Sequence, residues 1–565
     1  MADKPRWLKD FFFPPAERSI GLKILPYAVV VLALILLLAG VSAGWEATNS
    51  TEFCGLACHT MPPQYITHAN ASHSRVTCEE CHLGRAPLAV QIPRKIQYSW
   101  LTGSALVFNT YEYPIRAKTM RPAVDACETC HYPPTFSGDK LLEINKYASD
   151  QKNSLTIISL LLKTGGGSMR EGLGYGIHWH IENPVYFYSE DAENQKIPYV
   201  RVTLADGSIK EYVDIEANFD KSKVDSNQLQ YMDCNTCHNR TSHQILTPSA
   251  AMDQMLSRGL ISSNIPEIKK MGEEVLAVNY KSEEEAQNAF LAMETYYQET
   301  YPDFYKDNSG LVKTAIQAIQ DKYKVSAFID QKMFWNTHPD NIGHETSPGC
   351  FRCHDGKHLT VEKEAVRLEC NLCHSIPVVS AATDLVTNIE LNRNVEPQSH
   401  LHTNWITLHN QVFDASCQAC HSVGNPGGKD DSSFCSNSAC HGSSWPYAGF
   451  DAPLLREALK DQIPSAPPTP APAPTTSPGE EVGFNVIEGM MQAKCIACHG
   501  DTGAAGLSLN SYAGLMKGSS KEVVVVPGNA LESVIVKVQQ SGHAMQFTMD
   551  ELNLLIQWIN EGAIE

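Results

Sequence analysis

Residues 54–85 read CGLACHTMPPQYITHANASHSRVTCEECHLGR. Twice in this stretch a cysteine pair is followed at once by histidine. Cys78, Cys81 and His82 have two residues between the thiols; Cys54, Cys58 and His59 have three. Cys-x-x-Cys-His is the attachment signature of c-type haem. The thiols form thioethers to the porphyrin, and the neighbouring imidazole reaches the iron. Working outward, the pattern recurs at Cys127, Cys130 and His131, at Cys234, Cys237 and His238, and at Cys350, Cys353 and His354. It recurs again at Cys370, Cys373 and His374, at Cys417, Cys420 and His421, and at Cys495, Cys498 and His499. A second stretched copy, Cys435, Cys440 and His441, has four intervening residues. The nine motifs use all 18 cysteines and nine of the 21 histidines. Disulfides, zinc sites or thioredoxin-like pairs would also use paired cysteines. None requires histidine after every second thiol. The sequence therefore predicts nine covalently bound c-type haems and an electron-transfer protein.

Before the first motif, residues 25–45 read LPYAVVVLALILLLAGVSAGW. About twenty uncharged residues are enough for one bilayer-spanning helix. Lys4, Arg6, Lys9, Arg18 and Lys23 precede the run, against Asp3, Asp10 and Glu17. That bias predicts residues 1–24 in the cytoplasm. The haem-bearing remainder is then expected in the periplasm or on the outer face of the inner membrane. Val41, Ser42 and Ala43 resemble a signal-peptide cleavage site, but the apolar run is longer than a usual signal core. A retained anchor is expected. The net charge of −19, with no basic patch interleaved with aromatics, disfavours nucleic acid as a partner. It suits a redox protein that docks basic partners, and equally a large exported protein kept soluble by charge.

Residues 46–135 hold the first three motifs and 136–461 hold five more in an extended multihaem region. Residues 462–483 include PSAPPTPAPAPTTSPGEE, a semi-rigid linker. Residues 484–565 form a monohaem unit whose tail, MDELNLLIQWINEGA, has apolar residues at helical spacing. Between motifs three and four, YVRVTLADGSIKEYV alternates like two strands around a turn at Asp206 and Gly207. Residues 250–335 read as helices. The expected fold is mainly α with extensive loops. It comprises a single N-terminal transmembrane helix, a multihaem region with a small β insert, and a C-terminal all-α monohaem domain. Porphyrins would supply much of the apolar interior.

A low-spin haem needs a second axial ligand. Outside the motifs stand His68, His73, His178, His180, His243, His338, His344, His358, His400, His402, His409 and His543. Proximity to the motifs singles out His68, His73, His178, His180, His243, His344, His358, His400, His402 and His409 as distal candidates. His178 and His180, in GIHWHI, read as alternate faces of a strand. Met61, in Cys-His-Thr-Met, and the late Met545 are candidate thioether ligands. Supply exceeds demand, so every iron can be six-coordinate. That favours conduction over catalysis at an open iron.

The single N-terminal helix, CGLACHTM at 54–61 and HANASHSRVTCEECHLGR at 68–85 resemble the NapC/NirT/NrfH family of membrane-anchored quinol dehydrogenases. The resemblance implies oxidation of menaquinol or ubiquinol beside the first haem and delivery of electrons to a periplasmic partner. It implies that Met61, rather than His59, ligates the first iron. It also implies that Lys95, in IPRKIQYSWLTG, approaches the second haem and the quinol. The first motif departs by one extra residue. The family's acid after that lysine is missing, with Thr102 near its place, and Glu112 or Asp125 stands as substitute. GIHWHI, CNTCHNRTSH, NIGHETSPGCFRCHDGKH and ECNLCH resemble the inner-membrane multihaem cytochromes of metal-reducing bacteria. CIACHG at 495–500, VVPGNALES and the final WINEGA resemble a class I cytochrome c, which implies Met545 as the sixth ligand, with His543 as its rival.

These readings predict a quinol dehydrogenase with a fused haem wire, serving anaerobic respiration or extracellular electron transfer. One rival is a terminal reductase for nitrite, hydroxylamine or a sulfur oxyanion. It lacks the Cys-x-x-Cys-Lys motif of the commonest nitrite-reducing design. The other is a wire subunit of a larger respiratory complex or homo-oligomer.

Overall fold

The computed structural model describes residues 11–13, 17–117, 120–132, 138–165, 176–204, 206–368, 372–375, 377–381, 402–404, 408–409, 424–425, 432–433, 436, 453–462, 482–500, 506–540, 547 and 549–565. Two compact units emerge: Met1–Thr407 with Trp445–Ala458, and Leu408–Ser444 with Leu459–Glu565. The interior of the 462–483 linker, the motif at 417–421, Cys435, Cys440, His441, Cys370, His400, His543 and Met545 lie outside the described residues.

In the first unit the apolar run forms one helix, Ile20–Asn49, long and apolar enough to cross a membrane. Its side chains, Leu32, Leu36 and Val41 among them, are exposed along its length. Ser50 ends it in extended geometry and caps the next helix, Thr51–Leu56, by accepting from Phe53 N at 3.1 Å. A further helix, Leu88–Phe108, buries no residue and exposes Ile92, Ile96, Trp100, Leu101 and Phe108. Asn109, left-handed at φ 52°, terminates it.

The haem motifs themselves sit on short capped turns. At Cys78–His82 the Glu80 carboxylate accepts from Thr77 N at 2.9 Å, and Asp233 caps Cys234–Cys237 by accepting from Asn235 N at 2.9 Å. These turns hold the motif residues in one local geometry without needing a core around them. Indeed, among the described residues before Leu160 the buried apolar side chains are few, Pro26, Pro63 and Ala123.

The predicted hairpin forms as β4 (Tyr199–Thr203) against β5 (Ile209–Asp214), in antiparallel register, with Gly207 at φ +83° in the turn. It is the middle of a larger assembly than the sequence suggested. With β3 (Val185–Tyr188), β6 (Gln230–Tyr231) and β7 (His358–Leu359) it makes a five-stranded sheet ordered β6-β3-β4-β5-β7. Its buried face carries Val185, Phe187, Val200 and Val202 and packs against Cys353 of motif five. A second sheet joins β1 (Lys140–Tyr147), β2 (Leu155–Leu162) and β8 (Val378–Ala381). GIHWHI corrects its strand reading. Trp179–Glu182 is a single helical turn with His178 at its N-cap, so His178 and His180 do not alternate across a sheet.

The helical reading of 250–335 holds as Pro248–Ser257, Ile268–Ala277, Glu283–Thr300 and Pro302–Lys324. Met252, Ile268, Phe290, Met293, Tyr297, Val312 and Ile319 form an ordinary apolar core there. This insert carries no haem motif, so it must bury its own side chains to fold. The second unit contains the helices Phe484–Lys494, Ile496–His499, Tyr512–Lys517, Val534–Gln540 and Met549–Asn560, closed over Ile487, Met491, Leu555 and Trp558.

Candidate functional site

The first motif lies directly after the membrane helix. Gly55, within its stretched spacing, is covered by the Tyr65 ring, which a Cβ at that position would overlap. Gly55→Ala is therefore expected to destabilise this segment by about 1–3 kcal/mol through overpacking. Calorimetry of the full chain would show it as a lowered melting temperature; an unchanged one would mean that Tyr65 moves aside at no cost. Met61 heads the helix Pro62–Ala69, and its carbonyl accepts from Tyr65 N at 3.0 Å. His59 Nδ1 meets the Tyr113 hydroxyl at 2.8 Å.

Four of the histidines share a polarity. Nδ1 of His180 faces the Ile177 carbonyl at 2.9 Å, that of His243 the Gln64 carbonyl at 3.1 Å, and that of His374 the Ser375 carbonyl at 2.7 Å. His354 Nδ1 likewise faces the Arg367 carbonyl. A carbonyl can only accept, so Nδ1 carries the proton and Nε2 keeps its lone pair for a metal. Burial also keeps these rings neutral: it pushes His243 down to about 3 and His354 down to about 4, and it lowers His73, His82, His180, His238 and His344. Neutral imidazole is the form that ligates.

The rings are also paired at one spacing. Metal–imidazole bonds are about 2 Å and the ring centre lies about 1.2 Å beyond, so two imidazoles across one metal have centroids about 6.4 Å apart. His82 and His243 stand at 6.4 Å, His131 and His73 at 5.9 Å, His354 and His180 at 5.8 Å, and His374 and His344 at 6.4 Å. Each pair joins a motif histidine to one predicted from outside the motifs. His178 lies within electrostatic reach of His238. Spacing, tautomer and neutrality all fit haem iron.

His68 behaves differently, pointing Nε2 at the Val76 carbonyl at 2.9 Å, 6.3 Å from the His243 ring. His402 Nδ1 accepts from Asn404 N at 3.2 Å. His409 is exposed in the second unit. His358 is 1% exposed with both nitrogens engaged, Nδ1 with Asp355 at 2.9 Å and Nε2 with the Ile197 carbonyl at 2.6 Å.

Consecutive motifs are also neighbours in space. The Cys54 thiol meets Cys78, and Cys81 lies within electrostatic reach of Cys130. Cys127 meets Cys234, and Cys237 lies close to Cys350 and Cys353. His344 stacks on Phe351 at 4.6 Å while facing His374. Motifs one to six thus run in chain order, which spacing along the sequence does not reveal.

Lys95 sits where the membrane helix ends. Its ammonium donates to Thr48 Oγ1 at 2.6 Å and to Asn49 Oδ1, and it lies 4.3 Å from the centre of the Trp45 ring. The negative end of the helix dipole favours a cation there. Burial lowers its pKa, while Glu79 and Cys54 pull the other way. Beside it opens an apolar groove of about 450 Å³ lined by Trp45, Ile92, Lys95, Ile96, Ser99 and Trp100. Trp45, Thr48 and Asn49 were missed in the sequence, where they are only the polar close of an apolar run. Asp125, a substitute for the missing acid, is committed to Arg94 at 2.7 Å. Glu79 is the acid whose charge reaches Lys95.

Repeated thiol pairs with poised imidazoles, following one apolar helix, are the fittings of a membrane-anchored multihaem c-type cytochrome. Comparison with known proteins agrees. Residues 17–132 match the N-terminal region of the NapC/NirT cytochrome c family, and residues 495–544 match the Planctomycete cytochrome C family. The chain is 36% identical over 373 residues to the cytochrome c-type protein ImcH of Geobacter sulfurreducens, covering 65% of this chain and 72% of that one. It is 28% identical over 124 residues to the cytochrome c nitrite reductase subunit NrfH of Nitratidesulfovibrio vulgaris, covering 20% of this chain and 72% of that one. No solved structure matches. The chain belongs to the ImcH-like, NapC/NirT-type family of membrane-anchored multihaem cytochromes c.

Proposed function

We propose that this protein oxidises quinol at the outer face of the inner membrane and conducts the electrons along nine c-type haems to a redox partner. The observation that carries the reading is Lys95, a cation clamped to the end of the membrane helix at the wall of an apolar groove, beside the first two motifs. Haem supplies one-electron redox chemistry when bound. The chain does the rest. Trp45, Ile96 and Trp100 offer apolar walls to a quinone ring and exclude water from it. Lys95 has three N–H donors, two of them on Thr48 and Asn49, and turns the third to a quinol oxygen. Each quinol releases two electrons and two protons, and Glu79 is the acid placed to take a proton. Exposed apolar residues on Leu88–Phe108 seat that helix on the bilayer surface.

As axial ligands we assign His243 to the iron of motif two, His73 to motif three, His180 to motif five and His344 to motif six, with His178 near motif four. Met61 is kept for motif one and Met545 for motif nine. His400, His402 and His409 are kept for motifs seven and eight. The Pro-rich linker lets the last haem unit reach a soluble partner, whether basic or part of a respiratory complex.

The test is anaerobic addition of a menaquinol analogue to the purified full-length protein in detergent, followed by haem absorbance. Reduction within seconds, blocked by a quinol-site inhibitor, is expected. No reduction, in protein that dithionite still reduces fully, would leave a wire fed by another protein.

A further inference from the structure

We propose that His338, which the sequence did not single out, is the axial ligand to the iron of motif four, oriented by Glu193, and that His358 is not a ligand. This deepens the multihaem reading above and rests on it. His338 Nδ1 is 2.6 Å from Glu193 Oε1, and its side chain is only 9% exposed. Its Nε2 is buried and has no hydrogen-bond partner. An orphaned buried nitrogen is costly and demands an explanation. A carboxylate on one nitrogen and an empty lone pair on the other is how proteins present histidine to a metal.

The surroundings hold that presentation still. Asp191 Oδ1 accepts from Glu193 N at 2.8 Å, and Gln195 Nε2 donates to the Glu193 carbonyl at 2.9 Å. The segment after His338 is laced to motif four. Asn239 Nδ2 donates to the Pro339 carbonyl at 2.9 Å, Asn341 N donates to Asn239 Oδ1 at 2.9 Å, and Asn341 Nδ2 donates to the Thr236 carbonyl at 3.1 Å. The backbone that follows His338 is therefore fastened to motif four, and its free nitrogen is kept from solvent.

His358 is the control that the fold itself provides. It too has a carboxylate on Nδ1, but its Nε2 faces a carbonyl at 2.6 Å. Both nitrogens face acceptors, so both carry protons and no lone pair remains for iron. Its proximity to motif five made it a predicted ligand; its hydrogen bonds make it a structural brace. In His338 the Nε2 lone pair forms the iron bond, and the Nδ1 proton stays shared with Glu193. A carboxylate in that position makes the imidazole a stronger donor, which favours ferric iron.

The experiment uses the full-length holoprotein. His338→Ala is expected to keep every haem attached, by intact mass, while one haem equivalent changes from low spin to high spin in electron paramagnetic resonance, with added imidazole restoring it. His358→Asn is expected to keep the whole low-spin complement and to melt earlier. Full low-spin content in His338→Ala, or its loss in His358→Asn, would overturn the assignment. Should His338→Ala not accumulate, Glu193→Gln decides: one midpoint potential rises with all haems still low spin, whereas unchanged potentials sink the proposal. A wild-type mass short of nine haems would instead overturn the haem count, which is a separate result.

Discussion

Lys95→Gln is expected to slow haem reduction by quinol by about 100-fold, the loss typical of removing one preorganised donor to a developing anion. Reduction by dithionite should be unchanged. As quinol gives up its protons, negative charge gathers on its oxygen, and among the described residues the only cation lining the groove is Lys95. The ammonium needs no reorganisation to meet that charge, because Thr48, Asn49 and the Trp45 ring already fix it. Glutamine keeps a donor but loses the charge. Lys95→Arg keeps the charge but presents a planar fork too large for the same three contacts, so an intermediate rate is expected. The side chain is only partly buried, so neither change should unfold the protein. Stopped-flow reduction by a menaquinol analogue measures both. A wild-type rate in Lys95→Gln would move the quinol site elsewhere on the molecule.

What the sequence disclosed and what it hid divide along the range of the interactions involved. Haem attachment is local: two thiols and a histidine within a few residues, so motifs such as Cys78–His82 were legible from spacing alone. The membrane helix and the β4–β5 hairpin are equally local, one written in an unbroken apolar run and the other in alternation around Asp206 and Gly207. The histidine pairings proposed for the haems are not. His82 meets His243 only because helix Pro62–Ala69 and the stretch after motif four come together, as the bond from His243 to the Gln64 carbonyl shows. His358 and His338 make the point most sharply. The acid that braces His358 is Asp355, three residues away and visible, whereas the acid that orients His338 is Glu193, 145 residues distant. Proximity to a motif favoured His358, whereas the hydrogen bonds behind the proposal above favour His338. GIHWHI misled for a related reason, since alternation of aromatic and polar residues over six positions does not distinguish a strand from one helical turn.

Asp253→Ala is expected to cost about 3–5 kcal/mol, the usual penalty for stripping the partner from a buried charge. Lys269, only 1% exposed, holds its ammonium 2.7 Å from Asp253 Oδ1, 2.8 Å from the Ser249 carbonyl and 3.1 Å from Glu273 Oε1. Asp253 Oδ1 also accepts from Tyr147 N at 2.9 Å, tying β1 to the helical insert. Losing the carboxylate therefore leaves a buried ammonium with Glu273 as its remaining ion-pair partner and orphans a strand N–H. The double change Asp253→Leu with Lys269→Met should recover most of the loss, because an apolar pair of similar volume removes the charge instead of stranding it. The insert carries no haem motif, so the damage should be local. Hydrogen exchange would accelerate in Pro248–Ser257 and Ile268–Ala277 while the haem spectrum stays the same. Equal protection in Asp253→Ala and wild type would show that the pair contributes nothing to holding the insert. A changed haem spectrum would show instead that the insert and the haem wire fold as one cooperative body.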